Sequence, residues 1–110
     1  MDIYHIWCNK DGDISDDDWV GHIRTFLGKL KDEGRIEGFR ITRCKMGFRS
    51  IADLPEWHFM IETRDMAQLE DAFRRVAKRE GELEEAHVSF NQFVGDGIQH
   101  ALYRDWPDDL

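Results

Sequence analysis

Residues 56–65, EWHFMIETRD, alternate strictly: Trp57, Phe59 and Ile61 share one parity, and His58, Met60 and Glu62 share the other. Successive side chains on a β-strand point to opposite sides, so a period of two specifies a strand with two unlike faces. One of those faces is wholly apolar and has to be covered. The second carries an imidazole, a thioether and a carboxylate together, a mixture that fits neither a sealed core nor an ordinary solvated surface.

The rest of the chain supplies what such a strand needs. A first strand is expected from about Ile3 to Cys8, followed by the polar turn NKDGDISDDD. That turn leads into a helix with full start signals: Ser15 as N-cap, Asp18 as its N3 partner, and Ile14 with Trp19 as a hydrophobic staple. Trp19, Val20, Ile23, Phe26, Leu27 and Leu30 recur at helical spacing, and Gly34 ends the helix. A second strand in IEGFRITRC sets Phe39 and Ile41 on one face against Arg40, Thr42 and Cys44 on the other. Residues Gly47 to Pro55 read as a loop that leads to the opening strand.

Beyond it, Asp65 and Gln68 form a capping pair for a second helix striped by Met66, Leu69, Phe73 and Val76 and expected to stop at Gly81. A third, short helix carries Leu83, Ala86, Phe90, Phe93 and Val94, with Glu82, Glu84 and Glu85 near its positive N-terminal end. Gly95 and Gly97 break it, and a last strand spans about Ile98 to Arg104. The parity of that strand is open: either His100, Leu102 and Arg104, or Gln99, Ala101 and Tyr103, join the mixed face.

The order β-α-β-β-α-α-β, with right-handed crossovers, predicts one α+β domain over residues 1–110: a ferredoxin-like split βαβ sandwich with helices on one face of an antiparallel four-stranded sheet. The expected spatial order is fourth, first, third, second strand. The face away from the helices then holds Arg40, Thr42, Cys44, His58, Met60 and Glu62, with Ile3, His5 and Trp7 the expected contribution of the first strand, whose other parity, Tyr4, Ile6 and Cys8, is also apolar. Such a face is too apolar for water and too polar for a helix to seal. A second copy of the same face meets both demands, so a homodimer through the sheets is expected.

Charge narrows the partners. Lys and Arg number 15 against 23 Asp and Glu, a formal net charge of −8, which disfavours nucleic acid and anionic membrane surfaces. The chain enters strand-like sequence at once, with Asp2 where a signal peptide needs basic residues, and its apolar runs are too short to span a bilayer. A cytoplasmic protein is expected. Cys8 and Cys44 are the two cysteines; they lack C-x-x-C or Cys/His ligand spacing, and the predicted order separates their strands by roughly 10 Å, beyond disulfide reach.

The segments MDIYHIWC, LKDEGRIEGFRITR and ALYRDWPD, within a similarity spanning nearly the whole chain, resemble the dimeric α+β barrel group of the ferredoxin-like folds. The likeness is closest to a small bacterial family of unknown function. Characterised members of the wider group include cofactor-free quinol monooxygenases, haem-degrading oxygenases and small stress-response proteins, so the resemblance implies a fold and not one activity. The haem-degrading relatives combine an Asn after the first strand, a Trp in the sheet and a His on the following helix. Asn9 and Trp57 match two of these roles, but the helix after Trp57 contains no His, and His87 on the next helix reads as a surface residue.

The candidate site is the mixed sheet face. His58, Glu62 and His5 are the candidate acid/base residues, and Arg40, Thr42, His58, Glu62, His5 and Trp7 are the candidate ligand-binding set, with Arg40 suited to an anionic group. The bland alternative is a polar layer inside a dimer interface, with Arg40 paired to Glu62. His5, His58 and Glu62 suit iron or zinc chemically, but no H-x-H or H-x-x-E-H pattern supports a metal. DGDISDDD fails as a calcium loop: counted from Asp11, the glycine position holds Asp16 and the terminal glutamate position holds His22. His22 and His100 read as packed or surface imidazoles, and GFRSIADLP as a lid, a solvent loop or a dimer strap.

Three functional classes follow: a binder of a small polar or anionic molecule, a cofactor-free oxygenase or isomerase, or a non-catalytic accessory protein with a packed dimer interior. No haem, flavin or zinc motif is present, so no cofactor is expected. The purified protein should be colourless and keep its melting temperature in chelator; a visible absorbance band or stoichiometric metal by elemental analysis contradicts this.

Overall fold

The computed structural model describes residues 1–107. Four strands, β1 (Asp2–Cys8), β2 (Gly38–Arg43), β3 (Trp57–Thr63) and β4 (Gln99–Arg104), alternate with three helices, α1 (Asp16–Asp32), α2 (Met66–Ala77) and α3 (Gly81–Asn91). The sheet order is β2-β3-β1-β4 and every pairing is antiparallel. This is the α+β, ferredoxin-like arrangement that the strand and helix order predicts.

Local chemistry explains where each element begins and ends. The Ser15 hydroxyl accepts the Asp18 backbone N–H at 3.1 Å, capping α1 at its N-terminus. At the other end Gly34 takes a positive φ of 72°, and the Arg35 and Gly34 amides bond the carbonyls of Leu30 and Lys31. That pair of bonds is a Schellman closure, and a residue with a Cβ is strained at its glycine position. The Asp65 carboxylate caps α2 by accepting the Gln68 amide at 2.9 Å. Gln68 does not reach back to Asp65; its Oε1 takes the Arg64 amide and its Nε2 donates to the Gly34 carbonyl. A polar side chain only 5% exposed thereby ties the start of α2 to the end of α1.

Three sequence expectations shift. The second helix ends before Gly81, at Ala77, because Arg79 takes the left-handed turn, with φ 52°, and Gly81 opens α3. Phe93 and Val94 leave α3: Val94 bridges to Lys10, and the Gly95 amide bonds the Asn9 carbonyl at 2.8 Å. Pairing with the segment after β1 overrides the helical spacing there. Cys44 lies one residue past the end of β2, at the start of a short 3-10 turn over Lys45–Gly47.

All three helices sit on one side of the sheet. Trp57, Phe59 and Ile61 face them from β3 and join Trp19, Ile23, Phe26, Leu27, Leu30 and Leu83 in one buried cluster. Trp19 is the centre of this layer. It is fully buried, its ring meets Trp57 edge-on at 5.3 Å, and its Nε1–H donates to the Phe90 carbonyl at 3.0 Å. One side chain thus locks α1 to β3 and α3. Replacing Trp19 with Ala should cost about 3–5 kcal/mol in chemical denaturation, against about 1 kcal/mol for Ser15→Ala. Equal losses would contradict the central place given to Trp19.

Candidate functional site

The antiparallel register settles which side chains share the open face. His5 lies opposite Met60 and Trp7 opposite His58, while Arg40 and Thr42 pair with Met60 and His58 from the other side. On β4, Ala101 lies opposite His5 and Tyr103 opposite Ile3, so Gln99, Ala101 and Tyr103 belong to this face. His100, Leu102 and Arg104 belong to the helix side, where Arg104 donates to the Asp2 carboxylate at 2.6 and 3.2 Å.

At the centre of the open face His5 Nδ1 and His58 Nε2 stand 2.8 Å apart, a hydrogen bond that needs a proton on one ring nitrogen and a lone pair on the other. The Trp7 indole stacks on His58 at 4.6 Å and on His5 at 5.5 Å, and Tyr103 meets His5 edge-on at 4.8 Å. Burial lowers the His5 pKa, and burial together with the His5 charge lowers that of His58. The neighbouring imidazoles therefore favour their neutral forms. Thr42 Oγ1 donates to the His58 carbonyl at 2.9 Å and fixes the strand beneath the ring. Arg40 is exposed and lies across from Met60; Glu62 lies across from Ile3 and Gly38. Of the residues picked from the sequence, His5, Trp7, His58 and Thr42 form one contact group, and Arg40 and Glu62 stand along the strands from it.

The opposite side of the sheet holds a feature that the sequence pattern does not announce. Between the sheet and the helices lies a cavity of about 260 Å³, walled by Tyr4, Phe26, Ile61, Val76, Phe90 and neighbouring apolar side chains. Phe73 and Ile98 line it yet remain 49% and 55% exposed, which marks its opening at the edge near β4. Few of the residues that line it carry polar groups: Tyr4, Cys8, Asn91 and His87. Burial raises the Tyr4 pKa and pushes the Cys8 thiol up to about 11, so both keep their protons at neutral pH. His87 is lowered, by burial and by Arg79, against the raising effect of Glu84.

His87 is half-buried, with Phe26 at 5.0 Å and Phe90 at 5.7 Å between ring centres. It is not the surface residue expected of it. The signal was its position four residues after Leu83 and three before Phe90, on the apolar stripe of α3. Asn9, one of the two haem-motif matches, has a structural task, its Oδ1 accepting the Glu56 amide at 2.8 Å. Asp16, from the acidic turn, pairs with Lys10 at 2.7 Å and Arg43 at 3.1 Å.

The three lowered imidazoles make stability pH-dependent in a definite direction. Below the ordinary value of 6.5 the unfolded chain protonates His5, His58 and His87 while the folded chain resists. Stability present above that value is therefore lost as pH falls through the folded-state values. Melting temperature should drop between about pH 7 and pH 5, and less steeply in His58→Gln. A flat profile in the native protein contradicts this reading.

Among curated proteins, none matches the chain. Solved structures with the same fold include At3g17210 from Arabidopsis thaliana, 11% identical with a TM-score of 0.71 and 100% coverage of both chains. A dimeric ferredoxin-like protein of unknown function from Jannaschia sp. CCS1 is 15% identical with a TM-score of 0.66, over 96% of this chain and 100% of that one. SnoaB, a cofactor-independent oxygenase from Streptomyces nogalater, is 11% identical with a TM-score of 0.60, over 97% of each chain. At these identities the likeness is one of fold. One family model matches throughout, over residues 1–110, and on that match the chain belongs to the family of unknown function DUF6614.

Proposed function

We propose that the protein is a cytoplasmic homodimer, closed through the open faces of two sheets, in which each protomer binds a small and largely apolar molecule between its sheet and its helices. The observation that carries the ligand reading is the cavity of about 260 Å³ with its opening at Phe73 and Ile98. Protein interiors are close-packed, and an apolar void of roughly 150 Å³ already accommodates benzene. A space of this size therefore suits a molecule of one or two rings, with the few wall polar groups fixing its orientation.

The dimer reading draws on Ile3, Trp7, Met60 and Tyr103, a mostly apolar set on the face without helices. An isologous interface there is expected to bury at least ~1,200 Å² in total. It would enclose the imidazole pairs of both protomers. The Jannaschia neighbour is itself described as dimeric, and SnoaB as working without a cofactor. A cofactor-free oxygenase or isomerase is thus in keeping with the fold, whereas an accessory role requires the cavity to stay empty.

A second reading places a small polar or anionic ligand in the dimer interior, held by His5, Trp7, Arg40, Thr42, His58 and Glu62. The His5–His58 hydrogen bond beneath Trp7 favours it. The two sites separate by mutation. Fluorescence of the uncharged two-ring dye Prodan should rise on binding to the native protein and be lost in Val76→Trp, which fills the cavity, with His58→Ala binding normally. Benzoate should raise the melting temperature of the native protein and not that of His58→Ala if the second reading holds. Light scattering should give a dimer at micromolar concentration; a monomer contradicts the assembly.

A further inference from the structure

Glu84 and His87 lie one turn apart on α3, and His87 lines the helix-side cavity. Glu84 Oε2 is sealed from solvent and has no hydrogen-bond partner among the described residues. His87 Nδ1 is 4.0 Å from it, too long for a hydrogen bond but within reach of a small rotation of either side chain. A buried carboxylate oxygen demands a donor, and the imidazole satisfies it only with its proton on Nδ1. That tautomer leaves the lone pair on Nε2. The ring that carries it forms part of the cavity wall, braced by Phe26 and Phe90.

Among the described residues that line the cavity, His87 carries the one titratable nitrogen base. Tyr4 and Cys8, facing it from β1, are held protonated by burial. Arg79, in the turn before α3, opposes a positive charge on His87, and Glu84 favours it. α1 contributes the apolar Phe26. His5 and His58 stand on the other face of the sheet, and His100 is exposed. An imidazole with one carboxylate behind it and an apolar chamber in front is the arrangement of a general base.

Building on the cavity as the ligand site, we infer that His87 is a catalytic general base for an enolisable carbonyl compound, and that Glu84 is its positioning residue. Nε2 takes the proton from the carbon next to the carbonyl. The C–H electron pair becomes a carbon–carbon double bond, and the carbonyl π pair moves onto oxygen to give an enolate. The His87 imidazolium then returns the proton, either to the same carbon or to another carbon of the conjugated system. Exchange follows when the imidazolium trades the abstracted proton for one from solvent before delivery to the same carbon, and isomerisation when delivery is to the other carbon. Neither consumes an oxidant, a reductant or a second substrate.

β-Tetralone in D₂O provides the test: deuterium uptake at its acidic carbon is followed by mass spectrometry, and its binding by displacement of Prodan. The native protein should accelerate exchange over buffer, with a rate that rises with pH through a single imidazole ionisation. H87Q should still bind β-tetralone but lose about 10²-fold or more in exchange rate. E84Q should bind normally, exchange more slowly and titrate at lower pH, because the carboxylate that favours the imidazolium is gone; E84D should recover part of the rate. Displacement of the dye with an exchange rate indifferent to H87Q overturns the base and leaves the cavity reading standing. Failure of β-tetralone to displace the dye from the native protein overturns both.

Discussion

All three helices pack on one side of a four-stranded sheet, so every strand residue faces either a dry layer of side chains or a surface without helices. The period of two divides the sequence accordingly. Trp57, Phe59 and Ile61 are driven into the helix layer, and His58, Met60 and Glu62 are carried to the other side whether or not they suit water. The layer is held by Trp19, whose indole fills the space between α1, α3 and β3 and satisfies the Phe90 carbonyl in the same contact. The imidazole pair on the open face and the cavity beneath the helices are both consequences of this division.

The two faces carry different chemistry. On the open side, aromatic and imidazole rings meet face to face and edge to face, with His5 and His58 joined by a hydrogen bond. Neutral, paired imidazoles of this kind suit an interface that excludes water, since neither ring needs a counter-ion. On the helix side the wall is almost wholly apolar, and its His87 imidazole stands 4.0 Å from a Glu84 oxygen that lacks a hydrogen-bond donor among the described residues. An apolar chamber favours the neutral base before reaction, and the nearby carboxylate favours the imidazolium that forms during it. The open face thus suits assembly, and the cavity suits chemistry.

The strands, their order and the two faces of β3 were legible because alternation is a local signal and a one-residue slip would bury charge. Ser15, Gly34 and Asp65 were legible because capping chemistry is written within four residues. The parity of β4 was open because both of its faces carry an apolar residue; its hydrogen-bond register with β1 resolves it, with Ala101 opposite His5. The end of α3 was misread since Phe93 and Val94 keep helical spacing while long-range bonds to Lys10 and Asn9 draw the chain away. The cavity left no mark on the pattern. A void is a shortfall of volume between packed surfaces, and the same apolar residues line it as would fill it. His87 alone, an imidazole on an apolar stripe, pointed to it.

The most direct measurement is a crystal structure of the assembled protein grown with β-tetralone. The account predicts ligand density between the sheet and the helices of each protomer, in contact with Tyr4, Val76 and Phe90 and with His87 turned to hydrogen-bond Glu84. Density beside His58 between two protomers, or a collapsed cavity filled by Phe73 or Phe90, would contradict it.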